Sequence, residues 1–390
     1  MARPVRASCH DPPVRPGLAV ATIARAHGAT VRQQQALSRE QRQALRAIAV
    51  CRTPALGGQL DVCTQCGFER PVYHSCRNRH CPKCQSLAQA RWIEQRMARV
   101  LHVDYFHVVF TPPASLRPLA LAHRRVVFAV LLRAAAHTLI ELGRDPKRLG
   151  AELGVTAVLH TWTRELEFHP HVHCIVTAGG LTADHRRWRP ALQRHLFPGK
   201  VLGALFRGKV LAALQQHLAR GTLPSTDPGS TRRVLGALHQ PPWVVYVKRP
   251  FDGAQRLFQY LGRYTHRVGL SNQRLVAITP EAVTFRTKDG RTATLPPVEF
   301  LRRLLLHVLP ARFVKIRHSG LFAPHQVSTA LPIAHQLLAT HPPTADPRAA
   351  SPWATLLHRL TGIDLSRCPR CEHAPLDRRV LIPSAPRPPP

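Results

Sequence analysis

Four groups of residues in this chain of 390 have the types and spacing for chemistry. The first is a cysteine-dense stretch in which Cys63-x2-Cys66 and Cys81-x2-Cys84 form two chelating knuckles. Each knuckle offers two thiolates to a tetrahedral ion, and together they would close one structural zinc site. Cys51, His74, Cys76 and His80 lie close by, and Cys76 or His80 is the natural alternate for a knuckle cysteine. The same stretch carries Arg77, Arg79 and Lys83, placed to meet phosphate. A second group, Cys368-x2-Cys371 with His373, is half a site with no second half beside it, a vestigial or shared knuckle. In the third, HPHVHCIV sets His169, His171 and His173 at alternate positions, so in a strand the three imidazoles share one face and form a metal clamp. His160 or Glu165 on the neighbouring segment, or His169 itself, would be the third ligand beside His171 and His173. The fourth is FQYLGRYTHR: Tyr260 and Tyr264 fall on one face of a helix, with Arg263 and Arg267 adjacent. A tyrosine hydroxyl is a weak nucleophile at neutral pH, but a divalent ion (magnesium or manganese) on the histidines would polarise a phosphate for its attack.

The elements around these groups predict an α+β fold. Ser38-x2-Gln41 is a capping box that starts a helix before the cysteines. HVDYFHVVFT reads as a strand, and Pro118 to Leu142 as one long helix. Residues 154–162 and 169–180 read as a strand pair joined through TRELEF. A helix over 190–219, a surface loop over 221–233, the strand PWVVYVKRP and a helix from Asp252 to about Arg267 follow. Asp289-Gly290 between alternating residues marks a hairpin, and PVEFLRRLLLHVLP is the last helix. The expected division is a loose basic arm over 1–30, a zinc-binding, DNA-contacting head over 31–100, a catalytic domain over 101–325 and a proline-rich, partly disordered region over 326–390. Gly203-x4-Gly208-Lys209 mimics a phosphate-binding loop, but Val210 stands where a serine or threonine should be, and the segment reads as helix.

Composition narrows the partner. With 55 Lys+Arg against 21 Asp+Glu the chain carries +34 charges, so a polyanion is expected to neutralise it. At 44% hydrophobic residues it can bury a core and is no basic tail. No run of about 18 purely apolar residues and no secretory leader is seen, which makes the cytoplasm the expected compartment.

His171-Val172-His173 resembles the His-hydrophobic-His motif of the HUH endonucleases, and Tyr260-x3-Tyr264 resembles their two-tyrosine class. With CRTPALGG, SCRNRHCPKCQ, YFHVVFTPP, AVLHTW and YLGRYTHRVGLSN, the chain from about Gln41 to Gly320 resembles the rolling-circle transposases of insertion-sequence family 91. The resemblance implies an HUH palm, an antiparallel sheet with flanking helices, behind a small helical, zinc-ribbon-like domain. It further implies nicking of single-stranded DNA at element ends through 5′-phosphotyrosine linkages. His171 and His173 match the clamp, and Tyr260 and Tyr264 the nucleophiles. Two other classes compete: a non-catalytic, zinc-stabilised DNA-binding regulator or decayed copy, in which the tyrosines are idle, and a hydrolase in which the histidines activate water.

Overall fold

In this computed structural model the described residues are 18–97, 99–191, 196–223, 227–251, 270–288, 290–339, 352–362, 364–373 and 375–384. The head opens with α1 (Val20–Gln34) and α2 (Arg39–Val50), then the hairpin β1 (Gly58–Val62) and β2 (Glu69–Tyr73), then α3 (Gln85–Met97). The centre follows as β3 (Tyr105–Thr111), α4 (Arg117–Ala122), α5 (Arg124–Arg144), β4 (Glu152–Trp162), β5 (Phe168–Leu181), β6 (Trp188–Pro190), α6 (Gly199–Ala219), α7 (Pro228–Ala237) and β7 (Val244–Phe251). Past residue 270 come β8 (Leu275–Ile278), β9 (Val283–Arg286), β10 (Thr292–Leu295), α8 (Pro297–Leu306), β11 (Ile316–Gly320), α9 (Ala330–Leu337), α10 (Trp353–Thr361) and β12 (Asp377–Leu381).

The central sheet is antiparallel, in the order β11-β4-β5-β3-β7, with β6 added to β5. Period-two alternation gives it two unlike faces. Phe106, Val108, Phe110, Leu159, Val172, Cys174 and Val176 point to one side, where they pack with α5 and α6 in the largest core. The histidines point to the other. Helix α5 is long and apolar enough to cross a membrane, but two thirds of its most apolar stretch is buried in this core.

A second core joins distant parts of the chain. α1 and α2 pack with α8 and the β8–β10 sheet around Ile23, Leu45, Phe285 and Phe300. The capping box forms as expected: the Gln41 amide donates to Ser38 Oγ at 3.2 Å, and the Ser38 amide to Gln41 Oε1 at 2.8 Å. Gln41 then donates from Nε2 to the Leu305 carbonyl at 2.9 Å, tying α2 to α8.

Both expected hairpins form. β4 pairs with β5, and β9 with β10 across a turn where Gly290 has φ +78°. Several expectations are corrected. The arm over 1–30 gives way at Val20 to α1, whose Val20 and Ile23 are buried against the second core. The helix expected from Pro118 breaks at His123, which leaves helical backbone angles and divides α4 from α5. Residues 188–190 join the sheet as β6, so the helix expected from 190 starts at Gly199. The loop expected over 221–233 contains the start of α7, because Pro228 sits at its first position and Asp227 Oδ1 caps the Ser230 amide at 3.0 Å. α8 stops at Leu306 and is not the last helix: α9 and α10 follow, and β12 comes back to pair with β1. The helix expected over 252–267, Asp289 and the final residues lie outside the described residues. The loop-like glycines at 203 and 208 sit inside α6, and the Lys209 ammonium pairs with Glu141.

Candidate metal centres and active face

Among the described residues, three groups bring ligand atoms within 4.8 Å of one another: His160/His171/His173, Cys51/Cys76/Cys81/Cys84 and Cys63/Cys66/Cys368/Cys371.

The imidazole group sits on two neighbouring strands. His171 is the direct cross-strand partner of His160, and His173 follows on the same face of β5. A register shift between His160 and Trp162 ends the regular ladder just beyond. The ring of His160 lies 4.1 Å from that of His173 and 5.4 Å from that of His171, centroid to centroid. Of the three candidates for a third ligand, His160 is therefore the one that joins the group. His169 turns aside, its Nδ1 accepting from Arg117 at 2.9 Å, and Glu165 is exposed in the turn between β4 and β5.

Burial sets the protonation state. It pushes His171 down to about 4 and His160 and His173 well below the ordinary imidazole range, so all three are neutral at pH 7. Neutral imidazole is the form that ligates metal. His171 Nδ1 lies 2.7 Å from the carbonyl of His169, which can only accept; the proton is therefore on Nδ1, and Nε2 presents its lone pair. His173 Nδ1 lies 2.7 Å from His107 Nε2, and its own Nε2 is buried without a hydrogen-bond partner. Three imidazoles with a bare buried nitrogen among them fit a divalent ion, and three protein ligands leave positions for phosphate oxygen or water.

Sequence reasoning missed two neighbours of this group. His107 on β3 braces His173, and Lys248 on β7 lies directly across from His107. The alternation in YFHVVFT would have put His107 on one face with Tyr105, but not said which strand it would lie beside. Lys248 brings positive charge to the clamp, where it helps lower both His107 and His173. Among the described residues β7 is an edge strand, and there Val244 and Tyr246 are 54% and 57% exposed. The rim of this face thus meets solvent, while His160 is buried and His171 and His173 are half-buried.

Tyr260, Tyr264, Arg263 and Arg267 lie outside the described residues. Arg77 is exposed, with φ +52°, and Lys83 is half-buried. Arg79 does not face solvent as a phosphate contact should. It is half-buried and donates from Nη1 to the Phe313 carbonyl at 2.8 Å.

The expected pairing of the two knuckles is corrected. Cys81 and Cys84 stand with Cys51 and Cys76, while Cys63 and Cys66 stand with Cys368 and Cys371. Cys63 and Cys66 lie in the turn between β1 and β2, so the hairpin carries them to its far end, apart from Cys81 and Cys84. In the first set, Cys51 caps α2 and Cys84 immediately precedes α3. Cys84 Sγ lies 3.4 Å from that of Cys51 and 3.5 Å from that of Cys76. A zinc–sulfur bond of about 2.3 Å sets sulfurs roughly 3.8 Å apart on a tetrahedron, whereas a disulfide needs about 2.05 Å. The four thiols thus fit one closed zinc site. His80 stays out of it: Nδ1 faces Asn78 Oδ1 at 3.2 Å, and Nε2 accepts from the Leu309 amide at 3.1 Å.

Comparison with known proteins agrees with this geometry. Residues 23–112 match the family model described as "Transposase zinc-binding domain", and residues 154–329 the one described as "Putative transposase". The chain is 41% identical over 372 residues to "Putative transposase y4qJ" of Sinorhizobium fredii, covering 92% of this chain and 94% of that protein. It is 29% identical over 342 residues to the transposase for insertion sequence element IS801 of Pseudomonas savastanoi pv. phaseolicola, covering 82% of this chain and 79% of that one. No solved structure matches the chain. A zinc-binding head, an antiparallel sheet of HUH-palm type and a relative matched over nearly its whole length place the chain in insertion-sequence family 91, the rolling-circle transposases.

Proposed function

We propose that the protein nicks single-stranded DNA at the ends of its element, with Tyr260 and Tyr264 as nucleophiles and the sheet face bearing His160, His171 and His173 as the site that receives the scissile phosphate. The observation that carries this reading is the neutral three-imidazole group on one face of an antiparallel sheet. A magnesium or manganese ion held there would polarise the phosphate and offset the charge that develops during attack.

The chain's own residues supply the rest. Tyr260 or Tyr264 loses its hydroxyl proton as its oxygen bonds to phosphorus. The bond to the 3′ oxygen breaks, and that oxygen takes up a proton. The product is a 5′-phosphotyrosine with a free 3′-OH, so the phosphodiester energy is kept for rejoining. Two tyrosines allow two such linkages in turn, as strand exchange requires. Lys248, across from His107, is placed to hold a neighbouring phosphate. Arg77, Lys83, Arg263 and Arg267 extend that contact, and the +34 charge concentrates the strand nearby. The thiols of Cys51, Cys76, Cys81 and Cys84 hold the structural zinc of the head. The expected working place is the bacterial cytoplasm, at the nucleoid.

The test is incubation with manganese or magnesium and a labelled single-stranded oligonucleotide that carries an element end. A covalent adduct that survives denaturant, and is lost when both tyrosines become Phe, is expected. Cleavage without an adduct would point to the water-activating hydrolase, and binding without cleavage to the regulator.

A further inference from the structure

Cys63, Cys66, Cys368 and Cys371 form a four-thiol group although Cys66 and Cys368 are 302 positions apart. Cys63 Sγ lies 3.5 Å from that of Cys371, and Cys66 Sγ 3.7 Å from that of Cys368. These are again the edges of a zinc–sulfur tetrahedron, roughly 3.8 Å, and far too long for a disulfide.

The backbone gives an independent sign. The two knuckles are the same turn built twice. The Cys63 amide donates to the Phe68 carbonyl at 2.8 Å, and the Gly67 amide to the Cys63 carbonyl at 3.0 Å. In the other knuckle the Cys368 amide donates to the His373 carbonyl at 2.9 Å, and the Glu372 amide to the Cys368 carbonyl at 2.9 Å. Each turn closes through a residue in the left-handed region, Gly67 at φ +67° and Glu372 at φ +58°. Glycine does this freely, whereas a glutamate is held there at a cost of about 1–2 kcal/mol. The turn aims amides at sulfur: those of Gln65 and Cys66 at the Cys63 thiol, and that of Arg370 at Cys368 Sγ at 3.4 Å. Amides converging on a thiol stabilise its anion, the form that binds metal.

Apolar packing does not account for the union. The cluster here consists of Cys63, Cys368 and Leu376 with Cys66 and Phe68 against them. On and just after β12, Val380 and Ile382 are 84% and 83% exposed. What else joins the ends is polar. β12 pairs with β1 in register from Gly58↔Leu381 to Val62↔Asp377. Asp61, only 2% exposed, sits between Arg70 at 2.9 Å and Arg378 at 3.7 Å. Arg359 on α10 reaches Glu94 on α3 at 2.7 Å. The strands approach so closely that a Cβ on Gly57 would come within 2.7 Å of the Leu381 carbonyl.

We propose that Cys63, Cys66, Cys368 and Cys371 hold a second structural zinc, which staples the C-terminal segment to the head and closes the chain into a loop around the catalytic sheet. The half-site near the C-terminus is then the missing half of the first knuckle. Such a closure constrains the unfolded chain as a cross-link does.

The experiment is cobalt titration of the full chain, read by thiolate-to-cobalt charge transfer, which ignores an ion on the imidazoles. Wild type should saturate at two thiolate-bound equivalents. Replacing Cys368 and Cys371 together by Ser should halve the signal and make the segment after residue 351 susceptible to protease. Cys371→His alone, which keeps a ligand on the exposed member of the set, should retain the second equivalent and the resistance. Saturation of wild type at one equivalent would overturn the proposal, as would undiminished charge transfer in the double variant. Should the double variant fail to fold, the wild-type stoichiometry decides alone.

Discussion

The imidazole group and the two thiol groups are all shaped for metal, and they differ in nearly everything else. The histidines stand on neighbouring strands of a sheet whose other face is locked into the largest core, so their geometry is inherited from the most rigid part of the molecule. The thiols stand on turns and helix ends, which a shared ion would tie together. Three neutral donors leave coordination positions for a substrate, whereas four thiolates fill the tetrahedron. A fold that positions its ligands can release and bind an ion during work; ligands positioned by an ion cannot spare it. One kind of site is built for chemistry and the other for shape.

This contrast orders the expected effects. The largest should follow Cys81→Ser, which breaks the thiol set of the head: the loss of bound zinc should cost on the order of 5 kcal/mol or more and melt residues 51–90. Calorimetry with metal analysis checks it, and an unchanged melting profile would make that set a bystander. His171→Ala should lower nicking about a thousandfold, while single-stranded DNA binding changes by less than roughly threefold. A parallel loss of both, seen in gel-shift and cleavage assays run side by side, would move His171 to the structural side of the comparison.

A third test separates ligand histidines from histidines used as pegs. His307 is fully buried, its Nε2 donating to the Leu166 carbonyl at 3.1 Å and its Nδ1 facing Thr161 Oγ1 at 3.3 Å. Burial pushes it down to about 4. Between there and the unfolded value near 6.5 the unfolded chain holds more protons, so stability is full above about pH 6.5 and falls as pH drops toward 4. His307 should contribute a loss on the order of 3 kcal/mol, measured from urea midpoints at pH 7 and 4.5, and His307→Gln should flatten that fall. The smallest effect is expected for His107→Ala. Removing the brace on His173 should weaken manganese binding, followed by electron paramagnetic resonance, about ten- to hundredfold. An unchanged affinity would show that β5 positions its imidazoles unaided.

Legibility in the sequence followed the range of the signal. The capping box at Ser38 and Gln41, the β4–β5 and β9–β10 hairpins and the alternation of His169, His171 and His173 are each written in one contiguous stretch of sequence, and each was readable. Choosing His160 over His169 and Glu165 needed the cross-strand register and the contact that turns His169 toward Arg117. Both depend on which residues oppose one another after folding. The thiol sets were the hardest. A CxxC knuckle specifies two ligands and says nothing about where the other two come from, and for Cys63 and Cys66 they lie 308 and 302 positions away. The helix starting at Pro228 was hidden by a Pro/Gly/Ser-rich context that reads as loop, although Asp227-Pro228 is also a good helix start.

The most direct test of the active face is to map the nucleotide. After reaction with an element-end oligonucleotide and manganese, the adduct would be digested and the modified peptide sequenced by mass spectrometry. A 5′-phosphoryl nucleotide on Tyr260 or Tyr264, absent from the His171→Ala protein, is the expected result. A nucleotide on any other residue, or cleavage that leaves none on the protein, would contradict it.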